Sequence, residues 1–191
     1  MTMRYDDGLT VREARQRYFD RSGFDTGGYT DRWVKLSAGP LAFYLPNLKG
    51  RKKCIAIHDL DHVATEYDTD WRGELQIAGF EIGVGCGRYW FGWMVNSQGI
   101  ALGVLLYPRD VFRAYVRGRR CTMSLFSLRQ VDDAALDKTV GALREEMGLD
   151  RADATPARGE RVLFAGSVLL AFVVNSAPLV GIGYLIYWAV T

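Results

Sequence analysis

The chain has 191 residues, 49% of them hydrophobic, and a formal net charge of +2 from 24 Lys and Arg against 22 Asp and Glu. That length suits one domain with its own core plus an appendage, and so even a charge balance gives no footing for nucleic acid as a partner. The three cysteines, Cys54, Cys86 and Cys121, form no Cys-x-x-Cys pair, which argues against a disulfide framework or a thiolate zinc site and for a reducing compartment.

Met1 to Asp7 has no apolar run, so no secretory signal is expected. Thr10-Val11-Arg12-Glu13 has the form of a capping box and predicts a short helix to about Arg21, stopped at Ser22-Gly23. Trp33–Leu36 and Leu41–Leu45 are brief apolar runs split by Gly39-Pro40 and read as a hairpin. Pro46 to Lys53 reads as a basic loop carrying Lys49, Arg51, Lys52 and Lys53. A helix is expected from Cys54 to about Tyr67, and a second from Trp71 or Gly73, with Glu74 in its first turn. Gly79, Gly83 and Gly87 recur every four residues there, so another helix could approach closely or a groove could open.

Tyr89 to Tyr107 carries no charge and suits a core helix or the wall of a lipid groove; Pro108 ends it. Arg117, Arg119 and Arg120 form a second basic loop, suited, like the first, to lipid head groups or an acidic substrate. Asp132 to Met147 reads as one helix, capped by Asp132 and stopped by Gly148.

From Val162 to Thr191 there is no charged residue. As one helix, 162–190 would be about 43 Å long, against a hydrocarbon core of about 30 Å. Asn175-Ser176-Ala177-Pro178 leaves a re-entrant hairpin as the alternative, and burial in a soluble bundle as the plainer one. Arg158 and Arg161 precede this stretch, and the positive-inside rule then puts the domain on the cytoplasmic face of the inner membrane. The expected fold is mainly α: a helical bundle-like domain over residues 1–155 with a short N-terminal β-hairpin, a linker at 156–161, and an apolar membrane-associating tail at 162–191.

The only two histidines, His58 and His62, stand four residues apart, which puts both imidazoles on one helical face. Histidine is the commonest metal ligand among side chains. A third ligand must come from elsewhere, and Glu74 on the following antiparallel helix is best placed to supply it. Asp59 lies at the edge of the His62 face as ligand or orienting group, with Glu66 and Glu81 as substitutes. The plainer reading is a helix with polar residues on its surface and a glutamate favoured by the helix dipole. A zincin would need Glu where Asp59 stands. Fatty-acid hydroxylases need more histidines, and His-Asp phosphohydrolases need histidines from separate helices.

His58-Asp59-x-x-His62, then eleven residues, then Glu74 matches the His-Asp-x-x-His-x11-Glu signature of the coenzyme Q biosynthesis protein 4 family, which the chain resembles over roughly residues 30 to 120. The apolar tail departs from that pattern, so the chain looks like a divergent, bacterial-type member. The resemblance implies a mostly helical fold, a place in ubiquinone biosynthesis, and a divalent metal, zinc with iron as the alternative, on His58, Asp59, His62 and Glu74, which would also be the catalytic residues. It implies a groove for a polyprenyl or other lipidic aromatic substrate, and as partners a membrane and a quinone-biosynthesis complex or a homodimer. The family has been assigned oxidative decarboxylation of the prenylated ring, and also a role as organiser of the biosynthetic complex. The expected activity is therefore a metal-dependent lyase, decarboxylating or hydroxylating a lipidic aromatic acid; the alternative is a lipid-binding scaffold with a structural metal.

Overall fold

In the computed structural model, which describes residues 4–23, 26–38, 41–149 and 156–190, the chain is mainly helical. Helix α1 (Val11–Ser22) opens on the expected capping box: Thr10 accepts from the Glu13 N–H, and the Glu13 carboxylate accepts from the Thr10 N–H at 2.9 Å. Gly23, left-handed at φ 71°, ends it. A single turn, α2 (Gly27–Thr30), leads into an antiparallel hairpin of β1 (Trp33–Ala38) and β2 (Leu41–Pro46), with Trp33 opposite Pro46 and Ala38 opposite Leu41. Gly39 and Pro40 lie outside the described residues.

Helix α3 begins at Lys49, not Cys54, and runs to Thr65. The basic segment is therefore the first turns of a helix rather than a loop. Lys and Arg are good helix formers, and two of them are tied down: Arg51 donates to Asn47 Oδ1 at 2.9 Å and Lys52 to the Thr30 carbonyl at 2.6 Å. Glu66, left-handed at φ 63°, closes α3, and α4 (Trp71–Val84) starts where Asp70 accepts from the Gly73 N–H at 2.7 Å. Helix α5 (Trp90–Leu106) ends as expected, but Pro108 then opens α6 (Pro108–Arg120). Proline at a first helical position loses no needed N–H. Arg117, Arg119 and Arg120 sit in the last turn of α6, where cations suit the helix dipole, and not in a loop.

A 3-10 turn at Leu125–Ser127 precedes two helices where one was expected, α7 (Asp133–Leu136) and α8 (Val140–Met147). Asp132 caps the first and Thr139 the second; Gly148, left-handed at φ 68°, is the stop. The break has its own partner, since Thr10 and Thr139 form a bridge.

Packing centres on α3. Its Ile57 and Leu60 meet Phe80, Phe126, Leu143 and Met147, while Val63 packs with Tyr18, Phe19 and Val140. Helix α4 lies directly against α6: a Cβ on Gly83 would stand 2.2 Å from the Tyr115 carbonyl oxygen, and one on Gly118 2.1 Å from that of Phe80. The glycines at 79 and 83 thus seat a helix and open no groove, and Gly87 lies beyond the helix.

Helix α9 (Arg158–Val190) is one continuous helix of 33 residues, about 50 Å at 1.5 Å per residue. It runs through Asn175-Ser176-Ala177-Pro178, so the hairpin alternative is not formed, and it takes in the last four of the six residues of the expected 156–161 linker. Nor does the tail stand apart from the domain. Glu160 pairs with Arg120 at 2.9 Å, the Phe164 ring lies 5.1 Å from Phe112 and 5.2 Å from Tyr115, and Ala171 is buried. Its segment Arg158–Ala177 is long and apolar enough to cross a membrane, and most of it is exposed on the molecule.

Candidate metal centre

One helical turn separates His58 from His62 on α3, and each ring is held by its Nδ1. His62 Nδ1 lies 2.9 Å from the Tyr67 carbonyl oxygen, which can only accept, so this nitrogen carries the proton and Nε2 is left with a lone pair. His58 Nδ1 lies 2.7 Å from Glu81 Oε1. The two Nε2 atoms consequently face each other at 3.2 Å. Tyr18 stacks on His62, with ring centroids 5.6 Å apart, and His62 is wholly buried.

Glu74 arrives from α4. The turn from Glu66 to Asp70 is tight enough that a Cβ on Gly73 would stand 1.9 Å from the Asp68 carbonyl oxygen; only glycine fits there, and the next residue then points back at α3. Glu74 Oε2 is 3.5 Å from His58 Nε2, and Oε1 is 3.5 Å from His62 Nε2. One donor atom from each of these three side chains lies within 4.8 Å of the others, so the group could hold a metal ion. The spacings fit. Two ligands at about 2.0–2.1 Å from a tetrahedral ion stand about 3.3 Å apart. The Glu74 side chain is 38% exposed, which leaves the cluster open to solvent on that side.

The charges agree with this geometry. Burial works against a charged His58, yet the Glu81 and Glu74 carboxylates overcome it and hold its pKa well above the ordinary imidazole value. Burial likewise opposes ionised Glu74, and its contacts with His58 and His62 more than offset that, drawing its pKa well below the usual carboxylate range.

Asp59 stands outside the cluster. Its carboxylate accepts from Tyr18 Oη at 3.1 Å and from Tyr29 Oη, which fixes α1 and α2 against α3. Burial raises its pKa. Asp59 is thus engaged by the two tyrosines and is not one of the three donors that converge. Glu66 is also elsewhere, 2.7 Å from Arg144, which ties the end of α3 to α8. Glu81, expected as a substitute ligand, orients His58 from behind. Its other oxygen accepts from the buried Asn96 on α5. A lone Asn in the charge-free α5 was a legible signal of an inward polar contact. Asp61 is fully buried, with no hydrogen-bond partner for its carboxylate oxygens among the described residues; burial, then Glu81, raises its pKa. The cysteines are free, and burial pushes the Cys54 thiol up to about 12, far from the thiolate a metal would need.

An apolar groove of about 410 Å³ runs between α5 and α9, lined by Trp90, Trp93, Met94, Ile100, Leu170 and Val174 among others. His58, His62 and Glu74 do not line it. Glu81 and Asn96 face the histidines, whereas their neighbours Ile82 and Ser97 face the groove. Comparison with known proteins gives no match to a family model, a curated protein or a solved structure.

Proposed function

We propose that the protein is a metal-dependent enzyme that works at a membrane on a lipidic aromatic acid, in the manner the resemblance to the coenzyme Q biosynthesis protein 4 family implies: decarboxylation or hydroxylation of a prenylated ring in quinone biosynthesis. The observation that carries it is the three-donor cluster of His58, His62 and Glu74, whose atoms converge from two helices and which is open on the Glu74 side. Three protein donors with an accessible fourth position are the pattern of catalytic rather than structural zinc sites.

Each residue of the chain has a definable part. The Tyr67 carbonyl fixes His62 with its Nε2 lone pair inward, and Glu81, held by Asn96, does the same for His58. Glu74 brings the negative charge that favours a dication. A bound divalent ion, zinc first and iron as the alternative, supplies Lewis acidity toward a ring carboxylate or phenolate. The solvent-facing side by Glu74 is the route by which the ring reaches the cluster. The apolar α9 supports a membrane location, and Arg158 and Arg161 at its N-terminal end favour the cytoplasmic face.

Elemental analysis of the purified full-length chain tests the site, and mass spectrometry of lipids that co-purify tests the substrate class. One divalent metal per chain together with a prenylated aromatic acid is the expected result. X-ray absorption showing four protein donors and no exchangeable ligand would favour the scaffold reading, and absence of stoichiometric metal would overturn both.

A further inference from the structure

Helix α5 is built inside out for a protein in water. Four of the five residues it buries are small or polar, Gly92, Asn96, Ala101 and Gly103, and Ile100 is the one large apolar side chain among them. The residues it turns outward are large and apolar: Trp90 is 61% exposed, Leu105 68% and Leu106 54%, with Met94 and Leu102 on the same side. Gln98 is the polar exception. Helix α9 repeats the arrangement. Ser167, Ala171 and Asn175 face the domain, where Ser167 meets Tyr115 Oη at 3.3 Å and Asn175 donates to Ser97 Oγ at 3.4 Å. Leu169, Leu170, Phe172 and Val173 are exposed. Small residues and cross-helix polar contacts inside, with the bulky apolar side chains outside, are how helices pack when the surrounding solvent is itself hydrocarbon. In water so large an apolar surface is a liability.

The two outward faces are continuous. The groove between α5 and α9 is lined by Trp90, Trp93 and Met94 from one and Leu170 and Val174 from the other, residues that are themselves exposed, so it opens onto this surface. Exposed arginines border the charge-free stretches, Arg88 and Arg109 around α5 and Arg158 and Arg161 at the start of α9. Their acidic neighbours Asp110 and Glu160 are paired with Arg72 and Arg120. Tryptophan beside arginine at the edge of an apolar face matches the interfacial layer of an anionic bilayer.

We infer that α5 and α9 together form one surface that embeds in a phospholipid bilayer, with an acyl chain filling the groove between them, so that the membrane is held by the domain's own helix as well as by the apolar tail. The inference rests on the membrane part of the reading above and is independent of the metal chemistry. Full-length protein floated with vesicles of phosphatidylcholine and phosphatidylglycerol tests it through Leu102→Glu/Leu105→Glu, which leaves α9 untouched. The vesicle partition coefficient should fall at least tenfold, with helical content unchanged. An unchanged partition of a folded variant overturns the role of α5 while leaving that of α9 standing; failure of the unaltered chain to float overturns both. If the variant instead loses self-association in ultracentrifugation while still floating, the surface joins two copies and the bilayer assignment is wrong. Should the charged variant misfold, tryptophan quenching by brominated acyl chains decides. Trp90→Phe/Trp93→Phe should remove a measurable share of the quenching, and quenching efficiency equal to that of the unaltered chain overturns the inference.

Discussion

In α3 and α4 several polar side chains point inward and, Asp61 apart, find partners there, whereas α5 and α9 turn large apolar side chains outward. Asp59, His62 and Glu81 are all buried, and each is matched by a tyrosine, a carbonyl, an imidazole or an amide. Leu105 on α5 and Leu170 on α9, by contrast, stand in the open. The contrast shows that burial in this chain is not sorted by hydropathy alone. Polar groups go inside around the three-donor cluster, and large apolar groups stand outside on α5 and α9. Charges cost several kcal/mol each to bury unless paired, so a cluster of them in one small core marks a place with a task.

The sharpest way to break the site half is to remove one nitrogen. His62→Ala or His58→Ala should abolish one-per-chain metal binding, measured by elemental analysis after dialysis, because each takes one of only two nitrogen donors. Retention of a full complement of metal in either variant would remove the cluster as the site.

Next in size is a pair of glycines that sit on opposite sides of the comparison. Gly83 lies where α4 meets α6, and a Cβ there would stand 2.2 Å from backbone. Gly83→Leu should destabilise the fold by about 3 kcal/mol or more, read from denaturant unfolding, since overpacking at a backbone contact cannot be relieved by a rotamer change. Gly166 on α9 has nothing within 4 Å of its Cβ position. Gly166→Leu should leave packing intact and raise vesicle binding slightly. Equal effects at the two positions would erase the distinction between a packed helix face and a bilayer face.

A smaller effect is expected behind the histidine. Asn96→Ala leaves Glu81 less well held, and Glu81→Gln weakens its grip on His58 Nδ1. Each should lower metal affinity about 10- to 100-fold, the usual range for groups that orient a ligand. A chelator competition titration measures it, and an unchanged affinity in both would make the Glu81 contact merely structural.

Much of this was legible in the chain before folding. Thr10 with Glu13 declared a capping box, the histidine spacing declared a shared face, and eleven residues to Glu74 allowed a short return on a second helix. What stayed hidden depended on tertiary neighbours. Pro108 reads equally as a stop or as the first residue of a new helix, and only the packing of α6 on α4 decides. Thr139 is an ordinary residue in a helical pattern until its bridge to Thr10 breaks the run. Asp59 lies at the edge of the His62 face and so read as a ligand or orienting group, but Tyr18 and Tyr29 engage it from elements far away in sequence. The inverted faces of α5 could not be read from a charge-free run, because every face of such a helix is apolar until its contacts are known.

The least of the expected effects is that of pH, and it tests whether the charge in the cluster is there for a cation. His58 titrates above its ordinary value in the metal-free protein, because Glu81 and Glu74 outweigh its burial. Its contribution to stability is therefore fully present below the unfolded value of about 6.5 and is lost as pH rises through the raised folded value. Glu74 runs the other way: with a depressed folded pKa, it stabilises above the ordinary carboxylate range and loses that contribution as pH falls through its own lowered value. Between the two the metal-free cluster holds one proton that a metal must displace. Affinity should then rise about tenfold per pH unit up to the His58 pKa and flatten above it. Glu74→Gln removes one of the charges that hold this proton, so the flattening should move to lower pH even as overall affinity falls. A chelator titration carried upward from about pH 6 until the affinity stops rising reads both slope and plateau. A flat profile in the unaltered protein would mean that His58 is neutral before the metal arrives, and that Glu81 and Glu74 do not govern it.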